Sequence, residues 1–299
     1  MDGVIIVDKP QDFTSFDVVA VMRRLCGQKK IGHTGTLDPM ATGVLPLLLG
    51  KATRAASLLE DTDKEYEAGF RLGYSTDTQD ATGKTLRQSC QRVTREQVKA
   101  ALAAFRGEIL QTPPMYSAVQ INGQRLYDLA RQGIEIAREA RPVTIYQLEL
   151  TDFDEEVQSG RLNVRCSKGT YIRTICADIG EALGTFGVMS SLRRTAAAGF
   201  TLADSVTLDE ARELSTQGTL ESKVLPVETL FQNRPALTVS PAQARRFGNG
   251  GGLSLDRVSA LRQDCTDGAV FRVKSPEGEF LGLGEVSLAK EELRVLRLF

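Results

Sequence analysis

A loop rich in glycine and threonine carries the side chains of this chain that are best suited to chemistry. Residues 32–43, GHTGTLDPMATG, contain too many Gly, Thr and Pro residues for a helix or a strand, which predicts an ordered loop. Within it, Asp38 precedes Pro39, which restricts the Asp38 backbone to extended geometry. The only histidine, His33, lies in the same loop. Two interpretations stay open: an Asx-Pro turn with a surface histidine, or a carboxylate and an imidazole that act as an acid–base pair.

The elements on either side of this loop would hold it in place. Residues 3–8 predict a short apolar strand, which ends in a charged turn at Lys9 and Pro10. Helical spacing begins at Ser15, which we predict as the N-cap. After the loop, the apolar run of residues 44–49 predicts a buried or edge strand. Four cations between the helix and the loop suit the helix dipole and would equally suit an approaching phosphate: Arg23, Arg24, Lys29 and Lys30.

Two later segments supply further candidate residues. Residues 65–72 alternate between apolar and polar, which predicts a strand with one wet face. Tyr66 begins its apolar side and is either a core residue or an aromatic platform. Arg173 lies in the first turn of a predicted helix, where a cation opposes the helix dipole, so we expect a buried carboxylate partner for it. Asp77 and Asp80, in a Thr-rich turn, are predicted to be solvated.

The rest of the chain alternates helix and strand signals. Capping boxes at Thr94 and Thr207 predict two further helices, and Asn122-Gly123 predicts a hairpin turn. Residues 124–141 interleave arginines with a tyrosine, which fits either a solvated excursion or a clamp for RNA. Strands are predicted at residues 143–150, 162–166 and 190–195. After a candidate linker at residues 226–235, short β units and a Gly-rich loop indicate a small barrel.

Composition narrows the function classes. The 299 residues are 41% hydrophobic and 25% charged with a net charge of −1, so any nucleic-acid binding must come from local basic patches. Five scattered cysteines without a C-x-x-C pair, and a single histidine, argue against a disulfide framework or a metal site. The Gly-Lys pairs at residues 50–51 and 83–84 lack the earlier glycine of a phosphate-binding loop. We find no membrane span or leader and expect a cytoplasmic protein.

The string GHTGTLDPMATGVLPLLLGKATR closely resembles the catalytic motif of the TruB family of tRNA pseudouridine synthases. Further similar segments occur in the same order along the chain: residues 8–10, 64–66, 115–118, 168–174 and 192–194. The C-terminal β region resembles, more weakly, a reduced PUA RNA-binding domain. The resemblance implies a mixed α/β catalytic domain at residues 1–230, with a large, mainly antiparallel sheet. It also implies a small β-barrel-like domain at residues 235–299.

The same resemblance implies an activity: conversion of uridine 55 in the T-loop of tRNA to pseudouridine. The family requires no cofactor and no metal, and its members act alone, so we expect a monomer whose partner is the T-arm stem-loop of tRNA. Asp38 matches the essential aspartate of the family. Whether it attacks C1′ of the ribose or removes the proton from C2′ stays open.

Other roles are implied residue by residue. Arg173 would pair with Asp38, and Tyr66 would form the platform on which the uracil turns. Tyr171 and Leu192 match residues that line the family's pocket, and His33 matches one that fills the space left by the flipped base. A phosphate clamp would come from Lys9, with its neighbour Pro10, from Arg193 and Arg194, from the cluster at residues 23–30 and from residues 124–141. Two alternatives remain, a hydrolase that uses Asp38 and His33, and a non-catalytic RNA-binding protein that keeps only the fold.

Overall fold

A broad β-sheet positions the loop around Asp38. The structure, a computed structural model, describes residues 1–59, 63–258, 261 and 265–299. Its strands are β1 (Gly3–Lys9), β2 (Ile31–His33), β3 (Thr42–Leu49), β4 (Lys64–Leu72), β5 (Tyr74–Thr76), β6 (Thr85–Gln88), β7 (Gly107–Gln111), β8 (Gln120–Ile121), β9 (Gln124–Arg125), β10 (Arg141–Asp154), β11 (Ser159–Cys166), β12 (Gly187–Ala197), β13 (Phe200–Thr201), β14 (Ala236–Thr238), β15 (Leu253–Ser254), β16 (Val270–Lys274), β17 (Phe280–Ser287) and β18 (Glu292–Leu298).

The helices are short, and most begin at a capping box. They are α1 (Ser15–Leu25), α2 (Arg95–Ala101), α3 (Leu126–Arg131), α4 (Ile172–Ala182), α5 (Leu208–Thr216) and α6 (Pro241–Gly248). The boxes predicted at Thr94 and Thr207 are confirmed. The prediction of Ser15 as the N-cap of α1 is wrong, because Thr14 is the cap and its side chain accepts a hydrogen bond from the Asp17 amide. Ser15 is buried instead, and its hydroxyl accepts a hydrogen bond from the Leu37 amide at 2.9 Å.

The large sheet is mixed but mainly antiparallel, as predicted. Within the described ranges its main path runs β1-β3-β12-β4-β11-β10-β7, with β2 beside β3 and β13 beside β12. The pairing of β12 with β3 is parallel and sets Arg193 opposite Thr42 and Arg194 opposite Gly43. The approach needs a glycine, since a Cβ at Gly43 would lie 2.2 Å from the Arg194 carbonyl oxygen. This pairing brings the end of the Asp38 loop against β12.

Two apolar clusters anchor the helices on this sheet. One joins α2 and α4 to the centre of the sheet around Phe70, which is completely buried. The other joins α1 and α5 to β1, β2 and β3, with Val18 and Met22 buried from α1. Helix α4 approaches β12 closely, because a Cβ at Gly180 would lie 2.2 Å from the Gly187 amide nitrogen. The sheet and α4 therefore fix the direction in which Arg173 leaves the helix.

The C-terminal residues form a separate five-stranded sheet. Its order is β14-β16-β17-β18-β15 among the residues that are described, and the predicted small β region is confirmed. The candidate linker is not an open tether, because residues Val227–Phe231 form a 3-10 turn and Phe231 is buried against Phe280 and Phe299. Among the described helices, none is long and apolar enough to cross a membrane.

Residues 115–136 contain a small apolar cluster of their own. Strands β8 and β9 pair around Asn122-Gly123, whose positive φ angles of 51° and 79° suit the predicted hairpin turn. Helix α3 follows directly, and its Leu126 and Leu129 are buried with Met115. The segment therefore has more core than its sequence pattern indicated.

Candidate active site

The loop from residue 34 to 41 is held at several points along its backbone. The amide of Thr34 donates to the Pro46 carbonyl at 3.2 Å, and Leu37 is held by the buried Ser15 hydroxyl. On the far side of Asp38, the Pro39 carbonyl accepts from the Asp12 amide at 2.9 Å. A loop pinned on both sides of Asp38 presents that carboxylate in one place.

Asp38 meets Arg173 through a fork of two contacts. The Arg173 Nε lies 2.9 Å from Asp38 Oδ2, and Nη2 donates to Oδ1 at 3.3 Å. The arginine side chain is only 6% exposed, whereas that of Asp38 is 35% exposed and open to the cavity. Arg173 therefore has the carboxylate partner that we expected, although Asp38 is partly exposed rather than buried. This partner explains a cation in the first turn of α4, where it opposes the helix dipole.

The rest of the Arg173 guanidinium is also occupied. It donates to the carbonyl oxygens of Tyr116 at 2.8 Å and Thr78 at 3.0 Å. Asp80 Oδ2 lies 3.9 Å from Nη1, and Asp80 is 6% exposed, so the prediction that Asp80 is solvated is wrong. Its carboxylate accepts hydrogen bonds from Thr78 and Thr82. The threonines on either side of Asp80 are the sequence signal that could have indicated this anchor.

Burial sets the ionisation of Asp38. Burial raises the pKa of the Asp38 carboxyl above its usual range, and the negative charge of Asp80 adds to the rise. The guanidinium of Arg173 and the ammonium of Lys9 oppose it. Arg173 thus favours the ionised carboxylate in a site where burial alone would favour the neutral acid.

Tyr66 and Arg194 line the same cavity as this ion pair. They lie opposite each other in the pairing of β4 with β12 and share a side-chain hydrogen bond. Tyr66 is 8% exposed, and burial raises the pKa of its phenol to about 12, so its hydroxyl is protonated at pH 7. Arg194 is completely buried and donates to the carbonyls of Val44 at 2.7 Å and Gly35 at 3.3 Å. The same arginine therefore holds the loop and the tyrosine.

A cavity of about 320 Å³ joins these side chains. Asp38, Tyr66, Tyr171, Arg173 and Leu192 all line it, so the structure brings together five of the predicted site residues from separate parts of the chain. The Tyr171 backbone is held on both sides by the Gln111 side chain, at 2.7 and 3.1 Å. A larger cavity of about 480 Å³ lies on the neighbouring sheet surface, shares Leu192 and lacks Asp38.

Four predicted residues lie outside the Asp38 cavity. His33 ends β2 just before the cavity wall, and burial with the charge of Arg194 lowers its pKa, so the ring is neutral at pH 7. Pro10 and Arg193 line a separate depression, and Arg193 pairs with Asp8 at 2.7 Å. Lys9 has no exposure, and its ammonium donates to the carbonyls of residues 10, 13 and 39. Lys9 and the buried Arg194 therefore hold the loop and are not available to a phosphate, which corrects their place in the predicted clamp.

Similarity to known proteins identifies the family. Residues 23–172 match the model for the TruB family pseudouridylate synthase (N terminal domain), which is half of the chain. Residues 173–232 match the model for the tRNA pseudouridylate synthase B C-terminal domain. The chain belongs to the TruB family of pseudouridine synthases. It is accordingly an isomerase, and the alternatives of a hydrolase and of a non-catalytic RNA-binding protein are wrong.

Similar proteins extend this TruB match over nearly the whole chain. The tRNA pseudouridine synthase B of Geobacillus thermodenitrificans (strain NG80-2) is 46% identical over 95% of this chain and 94% of its own. That of Azoarcus sp. (strain BH72) is also 46% identical, over 95% and 91%. Among solved structures, one from a Cbf5-Nop10-Gar1 complex matches with a TM-score of 0.75 and 27% identity, over 99% of this chain and 84% of that chain.

Exposed cations and aromatic rings lie on the surface outside the Asp38 cavity. Arg24, Lys29 and Lys30 are exposed at the end of α1. In α3, Tyr127 is 43% exposed, and the Arg131 guanidinium lies 5.6 Å from the centre of its ring. Such pairs suit RNA backbone and stacked bases. Within the described ranges, no group of three or more His, Cys, Asp or Glu side chains is placed to hold a metal ion.

Proposed function

We propose that this enzyme converts uridine 55 in the T-loop of tRNA to pseudouridine, with Asp38 as its essential carboxylate. The observation that carries the proposal is the forked ion pair of Asp38 and Arg173 on the wall of a base-sized cavity. The substrate class is supported by the relatives, which are tRNA pseudouridine synthases over almost the same length.

The reaction exchanges one bond to the ribose for another. The bond from N1 of uracil to C1′ breaks, the base turns, and C5 bonds to C1′, after which C5 loses its proton and N1 gains one. Positive character builds at C1′ during the first step, and the ionised Asp38 carboxylate would stabilise it. Both routes, attack on C1′ and removal of the C2′ proton, place this carboxylate beneath the sugar.

The surroundings of Asp38 suit this task. A site that excludes water retains the detached uracil and strengthens electrostatic interactions, but it also disfavours a carboxylate charge. Arg173 offsets that penalty with two donors, and its own position is fixed by Tyr116, Thr78 and Asp80. The pair is therefore built to keep Asp38 charged and oriented while a nucleoside fills the cavity.

The remaining cavity wall would hold the base. Tyr66 offers a flat ring whose hydroxyl is held by Arg194, so the ring keeps its orientation while the uracil turns against it. Leu192 and Tyr171 enclose the other sides. A flipped uridine would leave a gap in the T-loop, and we assign His33, a neutral ring beside the cavity, to stack there.

The phosphate contacts are assigned to exposed groups. Arg193, which is partly exposed at 39%, and the cluster of Arg24, Lys29 and Lys30 would neutralise the RNA backbone. Residues 124–141 would close over the stem-loop from the other side. A single chain acting alone in the cytoplasm stays a prediction, as do the domain limits at residues 230 and 235.

The direct test is Asp38→Asn on a T-arm stem-loop, with pseudouridine measured by mass spectrometry. We expect activity to be lost, because the amide cannot stabilise charge at C1′ or accept a proton. Asp152→Asn is the matched control, because the Asp152 side chain is 71% exposed and lies 3.9 Å from Arg95, outside the Asp38 cavity. An Asp38→Asn protein that reacts at the rate of this control would refute the assignment.

A further inference from the structure

The hydroxyl group of Ser117 is enclosed in the wall of the Asp38 cavity without a hydrogen-bond partner. Ser117 is 6% exposed and lines the cavity. Its backbone is fixed, since its amide donates to the Met115 carbonyl at 2.9 Å and its carbonyl accepts from the Tyr127 amide at 3.0 Å. The preceding residue, Tyr116, accepts a hydrogen bond from Arg173. The side chain is therefore held at the site by its neighbours while its own oxygen is unsatisfied.

This position distinguishes Ser117 from the other unsatisfied groups. Across the ranges that the structure describes, the buried side-chain atoms without a partner are Arg23 Nε, Gln28 Nε2, His33 Nδ1, Ser117 Oγ and Arg138 Nε. Ser117 is the one among them that lines the Asp38 cavity. A buried hydroxyl without a partner costs stability. A group kept at that cost inside a binding cavity is expected to find its partner in the ligand.

The chemistry of uracil supplies the partner. Uracil carries two carbonyl oxygens, and each needs a donor once the base is enclosed. Arg173 is occupied by Asp38, Tyr116 and Thr78, and Arg194 by Val44, Gly35 and Tyr66. The Thr170 hydroxyl donates to the Ser167 carbonyl at 3.0 Å. Arg173, Arg194 and Thr170 are thus committed to other partners, whereas the Ser117 hydroxyl is not.

We infer that the Ser117 hydroxyl donates a hydrogen bond to a carbonyl oxygen of the extruded uracil and obtains this partner only when RNA is bound. The inference rests on the proposed function and adds a residue that reads the base itself. It makes Ser117 a substrate contact that costs the free enzyme stability.

The consequence is a variant whose stability and activity move in opposite directions. Ser117→Ala removes the unsatisfied oxygen, so the melting temperature of the RNA-free protein should rise by about 2 °C. The same change removes the contact to uracil, so kcat/KM on a T-arm stem-loop should fall by about 5- to 10-fold. Ser117→Cys, which keeps the shape and offers only a weak donor, should show an intermediate kcat/KM.

Ser205→Ala is the matched control. The Ser205 hydroxyl donates to the Leu202 carbonyl at 2.6 Å, away from the cavity. Its loss should lower the melting temperature and leave kcat/KM unchanged. A Ser117→Ala protein that behaves like this control, or that fails to fold, would overturn the inference, because Ser117 would then be a structural residue.

Substrates with sulfur in place of one oxygen identify the contact. Stem-loops with 2-thiouridine or 4-thiouridine at the target replace one carbonyl oxygen each by a weak acceptor. The ratio of wild-type to Ser117→Ala kcat/KM should approach one on one of the two. An unchanged ratio on both would show that the hydroxyl does not read the base. Failure of the wild-type protein to form pseudouridine would refute the proposed function instead, so the two failures are distinguishable.

Discussion

Replacing Arg173 with lysine keeps a positive charge beside Asp38 but removes the fork that orients it. The arginine makes two contacts with the carboxylate and two with the carbonyls of Tyr116 and Thr78. A single ammonium on a different stem cannot make all four. Asp38 then keeps a counter-charge, so the change tests orientation more than ionisation.

The expected loss can be worked from these contacts. A hydrogen bond to a charged group is worth about 1.5–3 kcal/mol, and each 1.36 kcal/mol in the barrier is a factor of ten in rate. Loss of one Asp38 contact therefore lowers the rate by about 10- to 150-fold. We expect kcat for Arg173→Lys to fall by about 100-fold, with a smaller change in RNA affinity, because the contact acts at the reacting sugar.

A single-turnover assay with excess enzyme measures this rate apart from RNA binding and product release. The substrate is a stem-loop labelled with tritium at C5 of the target uridine, because that hydrogen leaves in the reaction. Arg87→Lys is the matched control, since Arg87 is exposed and pairs with Glu181 outside the cavity. Single-turnover rates for Arg173→Lys within twofold of this control would contradict the role assigned to the fork.

Further predictions concern the pH profile, the anchor of Arg173 and the C-terminal sheet. Because the pKa of Asp38 is raised, activity should fall on acidification at a higher pH than for an ordinary aspartate. Burial lowers the pKa of Lys9, which holds the loop, to about 8, so activity should also fall as the pH rises through 8. A single-turnover pH series measures both limbs. A profile that stays flat well above pH 8 would contradict the alkaline half of this prediction. Asp80→Asn removes a charge that raises the pKa of Asp38, so the acid limb of the pH profile should move to lower pH while the rate falls by about tenfold. An acid limb that does not move would show that the charge of Asp80 does not affect the ionisation of Asp38. Arg297→Glu, on the exposed side of β18, should weaken tRNA binding and reduce its salt dependence at an unchanged single-turnover rate, as measured by filter binding across salt concentrations. Unchanged affinity would argue against RNA binding by that face.

The C-terminal sheet is better tested by such point changes than by deletion. Phe280 and Phe299 pack against Phe231, and Leu283 belongs to the same apolar cluster as Val4 and Ile6 of β1. Removing residues 235–299 would expose that cluster. A loss of activity on deletion would then report unfolding as well as lost RNA contacts.

Local signals predicted the elements well. The capping boxes at Thr94 and Thr207 and the Asn122-Gly123 hairpin depend on contacts within a few residues, and all three are present. The alternating pattern predicted the strand that contains Tyr66, because one face of that strand is buried. The pairing of Arg173 with an unidentified carboxylate was predictable because its position in the first turn of α4 is unfavourable in isolation.

What the sequence did not predict depends on distant partners. Lys9 follows a strand in a charged turn, and nothing local shows that carbonyls from residues 10, 13 and 39 will enclose its ammonium. Asp80 resembles any aspartate in a polar turn until α4 brings Arg173 beside it. Ser15 and Thr14 are both good N-caps, and only the buried Leu37 amide decides between them.

Neighbouring side chains of strand β12 line different cavities. Leu192 and Arg194 line the Asp38 cavity, and Arg193 between them lines the depression that holds Pro10. Irregularities in the pairing with β4 lie between Met189 and Ser191 and between Arg194 and Ala196, on either side of this triplet. Deleting one codon inside the triplet would shift the following residues by one position and turn their side chains to the opposite face of the sheet, so Thr195 would take the place of Arg194 in the Asp38 cavity. A residue inserted outside the triplet can be absorbed at one of these irregularities. An insertion scan of this strand should therefore show that activity is lost within the triplet and kept on either side of it.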